Sequence, residues 1–290
     1  VQDKIVSFIN EVRFSIFEPY LLMQARRKYE ESYQRTDEQP LVSVYTPTYN
    51  RANVLVERAV SSVLSQNYKN FEYIIIGDCC TDETEKLIKE INDPRIRFYN
   101  LPNRKRRYPD DGDNVINHWL AGPVVAANTA LQMVKGKWIA RLDDWVNWTP
   151  NHIEDLLLYA QNNNYEFVTG ATEDHLGRKS VGEYAIGPYF KIYSPPKRNN
   201  VNVVIGPTQT FFYRSYLNCF KYNINCWRKS WNKNNDNDLL VRFFKAGVRM
   251  GYLDKIVART IPRPGETHFN YEAFMNRLEE KKKHFAFRQK

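Results

Sequence analysis

Three short segments carry residue types that can hold a phosphorylated or hydroxylated ligand. The first is Thr46-Pro47-Thr48-Tyr49-Asn50-Arg51, directly after a short apolar, β-rich run at Leu41–Thr46. Pro47 stiffens that turn, Tyr49 offers a ring that can stack on a nucleobase, and the helix that follows turns free N–H groups toward an anion. The second is Gly77-Asp78-Cys79-Cys80-Thr81-Asp82, where Asp78 can accept hydrogen bonds from a base N–H or a ribose hydroxyl. The third is Asp143-Asp144, paired carboxylates able to hold Mg²⁺ or Mn²⁺ on a diphosphate. Taken singly, each also fits an ordinary turn or helix cap.

The elements around these segments give them a common placement. Phe71–Ile76 is a near-continuous apolar run, the pattern of a strand covered on both faces. Asn53–Ser65 has helical spacing at Val54, Val56, Ala59, Val60, Val63 and Leu64, and Asp82–Ile91 reads as a helix with a capping box of Asp82 and Glu85. Ile96–Leu101 is a further strand. Strands and helices alternating at these lengths predict right-handed crossovers and a parallel sheet, whose ligands bind at the carboxyl ends of the strands. All three segments lie at such ends.

Further along, the pattern predicts a helix at Val124–Met133, a strand at Trp138–Leu142, a helix from about Pro150 to Gln161 with Pro in its first turn, and a strand at Phe167–Gly170. Val203–Tyr213 alternates like a strand, Leu239–Lys245 is helical, and His268–Lys283 is a terminal helix with a basic end. The stretches Asn103–Asn117, with Arg104, Lys105, Arg106 and Arg107, and Asp174–Asn202 read as loops. Asp3 to Arg35 has helical spacing at Ile5, Phe8, Ile9, Val12, Ile16 and Phe17 and predicts an amphipathic helix, broken near Pro19. Three uses of it stay open: packing on the body, contact with a membrane surface, or joining an upstream domain.

Composition narrows the function class. The chain has 290 residues with 42% hydrophobic and 14% aromatic residues, enough for a real core, which excludes wholesale disorder. Mean hydropathy is −0.61, and no stretch approaches the roughly 18 consecutive apolar residues of a membrane span. The formal charge of +9 favours an acidic partner, either nucleic acid, anionic lipid or a phosphate-bearing substrate, or it is simply a solvated basic surface. No nucleic-acid-binding motif or extended basic helix is present, which argues against nucleic acid. Cys79 and Cys80 are adjacent and cannot readily bridge each other, and Cys219 and Cys226 lack CxxC spacing, so neither zinc nor a disulfide framework is expected. A reducing, cytosolic setting follows. Val1 is not followed by a secretory signal, so the chain reads as trimmed from a longer product.

The order and placement of the motifs resemble family 2 glycosyltransferases of the GT-A fold. The resemblance rests on Val44-Tyr45-Thr46-Pro47-Thr48-Tyr49-Asn50, a helix ending near Ser65-Gln66, Tyr73–Thr84, Ala126-Ala127-Asn128, Trp138–Pro150 and Asp236–Asp254. It implies an α/β fold of GT-A type: a Rossmann-like mixed sheet flanked by helices. The expected layout is a helical extension at 1–38, a glycosyltransferase domain at 39–262 whose nucleotide-binding half runs to about 142, and a C-terminal helical extension at 263–290. It further implies transfer of a sugar from a nucleotide-diphosphate donor with inversion. Pro47 and Tyr49 fall where the family frames the nucleobase, Asp78 where an acid meets the base, and Asp143 and Asp144 in the turn that contacts ribose and the metal-bound diphosphate. Asp236 falls at the catalytic base; it could instead be the N-cap of the Leu239–Lys245 helix, and Asp238 could share either job.

Several departures matter. In Leu142-Asp143-Asp144-Trp145-Val146-Asn147-Trp148-Thr149-Pro150, Trp145 stands where relatives supply a direct metal ligand. A Mn²⁺ or Mg²⁺ ion would then rest on Asp144 and on recruits such as His268 or Asn147. Asn235 replaces an acid common before the base, and Ala127 replaces an Arg beside Asn128; Arg104–Arg107 or Arg263 could supply that positive charge instead. The leading expectation is an inverting glycosyltransferase taking a UDP- or GDP-sugar to a hydroxyl of a glycan or lipid-linked glycan, cytoplasmic, with the inner face of a membrane as one location. The alternative is a catalytically degenerate sugar-nucleotide or glycan-binding module. Trp227, Trp231 and Tyr184 could stack on sugar faces.

Overall fold

The computed structural model describes residues 2–34, 39–103, 117, 120–180, 205–229 and 233–262. The Arg104–Arg107 loop, Tyr184, Trp231, Arg263, His268 and the terminal helix at His268–Lys283 therefore lie outside the described residues. A 28-residue helix, α1 (Gln2–Tyr29), precedes the sheet and continues into a 3₁₀ turn at Glu30–Tyr33. Then follow β1 (Val42–Thr48), the helix α2 (52–64), β2 (Phe71–Gly77), α3 (Thr84–Ile91), β3 (Ile96–Asn100), α4 (Val124–Met133) and β4 (Trp138–Arg141). The second half holds β5 (Val146–Trp148), α5 (His152–Asn162), β6 (Phe167–Asp174), β7 (Lys179–Ser180), β8 (Phe212–Arg214), α6 (Asn235–Ala246) and β9 (Met250–Thr260).

The strands form one mixed sheet in the order β3-β2-β1-β4-β8-β6-β9-β5, with β7 paired to β6. β3, β2, β1 and β4 are mutually parallel, the expected crossover pattern. β8 enters antiparallel beside β4 and turns the sheet mixed. Every residue of β2 is buried, and all of β1 but Pro47, which is why these strands read as unbroken apolar runs rather than alternating ones.

Several expectations are corrected. α1 runs through Pro19 without a break. Proline removes one helical hydrogen bond, and the turn around it is held by Glu18, which pairs with Arg242, and by the fully buried Leu22. Of the three uses left open for α1, packing on the body does not engage its apolar stripe, which faces solvent: Phe8 is 67% and Ile16 62% exposed. The capping box at Asp82 and Glu85 does not form. Glu85 pairs with Lys89 four residues on, while Asp82 accepts from Thr84 N–H (3.2 Å) and from Ala52 N–H (3.0 Å), capping two helices at once. α5 starts after Pro150, at His152, and β6 extends to Asp174. Val203–Tyr213, where described, is a 3₁₀ turn at Thr208–Thr210 followed by β8. β9, the longest strand, was not anticipated, because Asp254-Lys255 interrupts its apolar pattern at a bulge against β6.

Two buried ionisable groups set opposing pH dependences. Burial, only partly offset by Arg242, pushes the Glu18 carboxyl up from its ordinary 4.5 to about 7. Burial pulls His152, whose ring stacks on Trp148 at 3.8 Å, down from 6.5 to about 3. The folded protein keeps the Glu18 proton between about 4.5 and 7, where the unfolded chain has lost it, so this group's stabilisation fades as pH rises. His152 stays neutral in the fold down to about 3 while the unfolded chain protonates below 6.5, so its contribution grows as pH rises. Glu18→Gln should remove the first slope and leave the second. Stability from urea titrations should then climb with pH between about 5 and 6.5, by at most about 1.4 kcal/mol per unit. A variant profile with the parent's pH dependence would refute this.

Candidate active site at the carboxyl edge of the sheet

The carboxyl ends of β1, β2 and β4 converge, and side chains lace their turns together. Asp78 N–H donates to Thr48 O (2.8 Å), so the second turn continues the β1–β2 pairing past the strands. Asn50 makes a reciprocal pair with Thr81, accepting from its N–H at 2.8 Å and donating to its hydroxyl at 3.2 Å. Asn100 does the same for Cys80, with both bonds at 2.8 Å. Asn50 and Cys79 have positive φ, 46° and 62°. Left-handed backbone is mildly costly for Asn and more so for Cys, and it persists here because the side-chain bonds over-determine both turns. A Cβ at Gly77 would lie 2.6 Å from Asn100 Oδ1, so glycine is what lets that asparagine reach Cys80.

In this frame Pro47 and Tyr49 are half-buried on the rim, and Asp78 is buried. Thr48 links the first turn to the third: its hydroxyl donates to Asp144 Oδ2 at 2.9 Å. Arg51 donates to the other oxygen, Asp144 Oδ1, at 2.7 Å. Both carboxylate oxygens of the buried Asp144 are thus occupied, one of them by a cation.

Asp143 and Asp236 are joined through Arg141, the last residue of β4. This guanidinium is 2% exposed; its Nη1 donates to Asp236 Oδ1 and to Tyr222 OH (2.7 Å), and its Nη2 lies 3.5 Å from Asp143 Oδ1. Burial works against the charge, but the carboxylate of Asp236, with Tyr222 and Asp143, outweighs it and holds Arg141 more firmly protonated than a free arginine. Thr208 donates to the remaining oxygen, Asp236 Oδ2, at 3.0 Å. Tyr222 in turn meets Tyr45 OH at 2.9 Å, and its backbone is clamped reciprocally by Asn128, both bonds at 2.9 Å.

α6 begins four residues earlier than expected, and its N-cap is Asn234, whose side chain accepts from Asp236 N–H. Asp236 is therefore not the cap, and its carboxylate sits in the first helical turn, where the helix dipole favours a negative charge. Asp238 points away into a buried network with Lys229 (3.0 Å) and Arg242 (2.9 Å). Asn235 donates to Leu120 O at 2.9 Å, a bond no carboxylate could make, which accounts for an amide at that position. Trp227 is 8% exposed and packs in the interior under Arg228.

A divalent ion is poorly served by these residues. Among the described residues no group of three His, Cys, Asp or Glu side chains is arranged to hold one. Asp144 is engaged by Arg51, Asp143 faces Arg141, and Trp145 is partly buried against the core. A third cation beside these two guanidinium groups would be repelled. Asn147 Oδ1 is the one buried oxygen of the turn without a hydrogen-bond partner among the described residues.

Arg51, Arg141, Thr208 and Tyr222 had no role assigned from sequence. A signal did exist for Arg141: an arginine closing the apolar run Trp138-Ile139-Ala140 must be buried, and buried arginines are paired. Nothing local marks Thr208 or Tyr222.

Residues 43–108 and 115–221 match the profile of Glycosyl transferase family 2. The putative colanic acid biosynthesis glycosyl transferase WcaA of Escherichia coli K12 is 35% identical over 124 residues, 42% of this chain and 38% of WcaA. The UDP-Glc:alpha-D-GlcNAc-diphosphoundecaprenol beta-1,3-glucosyltransferase WfgD of Escherichia coli is 29% identical over 182 residues, 63% of this chain and 64% of that protein. The chain thus spans less than two thirds of either relative. Among solved structures, S. aureus TarS 1-349 in complex with UDP-GlcNAc superposes with a TM-score of 0.56 at 17% identity, covering 83% of this chain and 66% of that one. The mannosyltransferase PcManGT from Pyrobaculum calidifontis, in complex with GDP-Man and Mn2+, gives 0.55 at 14% identity, covering 99% and 75%. These structures share the GT-A fold, and the matched profile covers more than half of the residues: the chain belongs to glycosyltransferase family 2.

Proposed function

We propose that this glycosyltransferase moves a sugar with inversion from a UDP- or GDP-linked donor to a hydroxyl of a glycan or lipid-linked glycan. The observation that carries the reading is the Arg141 bridge, which ties a carboxylate of the donor-side turn, Asp143, to the carboxylate at the head of α6, Asp236. Tyr49 and Pro47 frame the nucleobase, Asp78 accepts from the base, and Asp143 and Asp144 address the ribose and diphosphate side. The names of WfgD and TarS's bound donor support a nucleotide sugar and a lipid-linked acceptor as the substrate classes.

In the proposed step, an Asp236 oxygen takes the acceptor hydroxyl proton as that oxygen attacks C1, and the C1–O bond to the diphosphate breaks with its electron pair leaving on the nucleotide. Asp236 is placed for this because Arg141 and Thr208 fix its orientation. The leaving diphosphate needs positive charge, and the partly exposed Arg51 supplies it. Arg141 is a positioning residue. No step is assigned to a metal, because the described donor set does not fit one.

Asp236→Asn should leave donor affinity by calorimetry unchanged while transfer falls by about 10²–10⁴-fold. Equal loss of binding and turnover would mark Asp236 as structural, and binding without turnover in the parent, whatever the donor, would favour a non-catalytic module. Asp78→Ala should weaken nucleotide affinity with an unaltered circular-dichroism spectrum; an unchanged dissociation constant would remove Asp78 from the site. Transfer should persist in EDTA, and Arg51→Ala should lower both donor affinity and rate by tenfold or more, roughly the contribution of one charge-assisted pair. Abolition by chelator with recovery on Mn²⁺ would overturn the metal-free account.

A further inference from the structure

α1 is seated on the protein by its charges and shows its hydrocarbon to solvent. Its three acids all turn toward the body: Asp3 meets Arg228, Glu11 lies 3.9 Å from Lys229, and the buried Glu18 pairs with Arg242. Arg26, on the last turn, reaches Glu166 (2.7 Å) and Gly247 O (2.8 Å). The opposite side carries Ile5, Phe8, Ile9, Val12, Ile16 and Tyr20, spaced three and four apart and each between 40% and 67% exposed, and continues to Met23. At 1.5 Å per residue this is a strip about 27 Å long. Single exposed apolar side chains are ordinary, whereas a contiguous strip of this length marks a surface that meets something.

The charges beside the strip say what it meets. The exposed ionisable side chains of α1 with no ion pair among the described residues are Lys4, Arg13, Arg27 and Lys28, all cations. The outer surface is therefore an apolar strip on a helix whose exposed acids are paired and whose unpaired charges are cations, on a chain of net +9. We propose that α1 lies flat on an anionic phospholipid surface, its aromatic and aliphatic strip in the acyl–headgroup boundary and its four cations among the lipid phosphates. A second copy fits less well, since two such strips face to face would bring like charges together. No helix among the described residues is long and apolar enough to cross a membrane, so α1 would rest on the bilayer. Through Glu18 and Arg242 it rests on α6, the helix whose first turn carries Asp236, which orients that end of the site toward the lipid. This inference stands on α1 alone and does not depend on the donor or acceptor proposed above.

The test is co-sedimentation of the whole 290-residue chain with vesicles of phosphatidylcholine alone or mixed with phosphatidylglycerol. Binding is expected to the mixed vesicles only and to weaken with salt. Phe8→Ser/Ile16→Ser should reduce the partition coefficient by about tenfold or more through lost apolar burial, and Arg13→Gln/Arg27→Gln by a similar factor through lost charge. Both pairs are solvent-facing, so circular dichroism and thermal midpoint should match the parent. The proposal is overturned by absence of binding to anionic vesicles, by equal binding to neutral ones, or by variants that bind like the parent. A dimer in sedimentation equilibrium that Phe8→Ser/Ile16→Ser dissolves would also overturn it, since the strip would then belong to a second copy.

Discussion

A guanidinium 2% exposed at the end of a central strand is the condition around which this site is built. Removing such a charge from water costs several kcal/mol, and only well-placed partners offset it. Arg141 finds them on three different segments: Asp143 on the turn that follows it, Tyr222 on the connection before α6, and Asp236 in that helix's first turn. The energetic demand of one side chain thereby holds together two carboxylates far apart in sequence. The same demand fixes Tyr222, which Asn128 secures from behind through both backbone groups. Asn128 thus steadies the site through the backbone of Tyr222.

The edge formed by the β1 and β2 turns uses a different strategy, neutral amides instead of charge. Asn50 and Asn100 each form a two-point pair with the neighbouring turn, and Asp82 caps the starts of both α2 and α3. Short polar side chains can copy the bonding of a backbone strand and so extend the order of β1 and β2 into their loops. Within α2 the turns change from α-helical at Ala52–Val54 to π-helical at Leu55–Val60. Arg58, in that wider stretch, bonds Trp145 O (3.3 Å), Ile261 O (2.9 Å) and Pro262 O (3.1 Å). One side chain thus ties the aspartate turn to the end of β9.

The parallel half of the fold was legible because fully buried strands leave an unmistakable apolar run, as at Phe71–Ile76. The positions of Asp78, Asp143 and Asp144 followed from knowing that strand ends meet on one edge. What was not legible was long-range. β9 hides its strand character behind Asp254-Lys255, which faces solvent at a bulge, and β5 is only three residues inside what reads as a turn. Nor was it legible which face of α1 meets the body: apolar periodicity identifies a stripe, but which stripe meets the body depends on Arg228, Lys229 and Arg242, more than two hundred residues away. The roles of Arg141 and Arg51 depend likewise on partners that no local pattern names.

The chain of alternating charge from Glu18 through Arg242 and Asp238 to Lys229 bears on where the catalytic unit ends. By sequence, residues 2–29 look like an appendage. By energy they are not, because deleting them would leave Arg242, buried to 5% exposure, short of one of its two carboxylates in the middle of the helix that carries Asp236. Arg242 would keep only Asp238, and losing one hydrogen-bonded partner of a buried charge is destabilising. A minimal catalytic fragment cut at the first strand would be trimmed through its own electrostatic foundation.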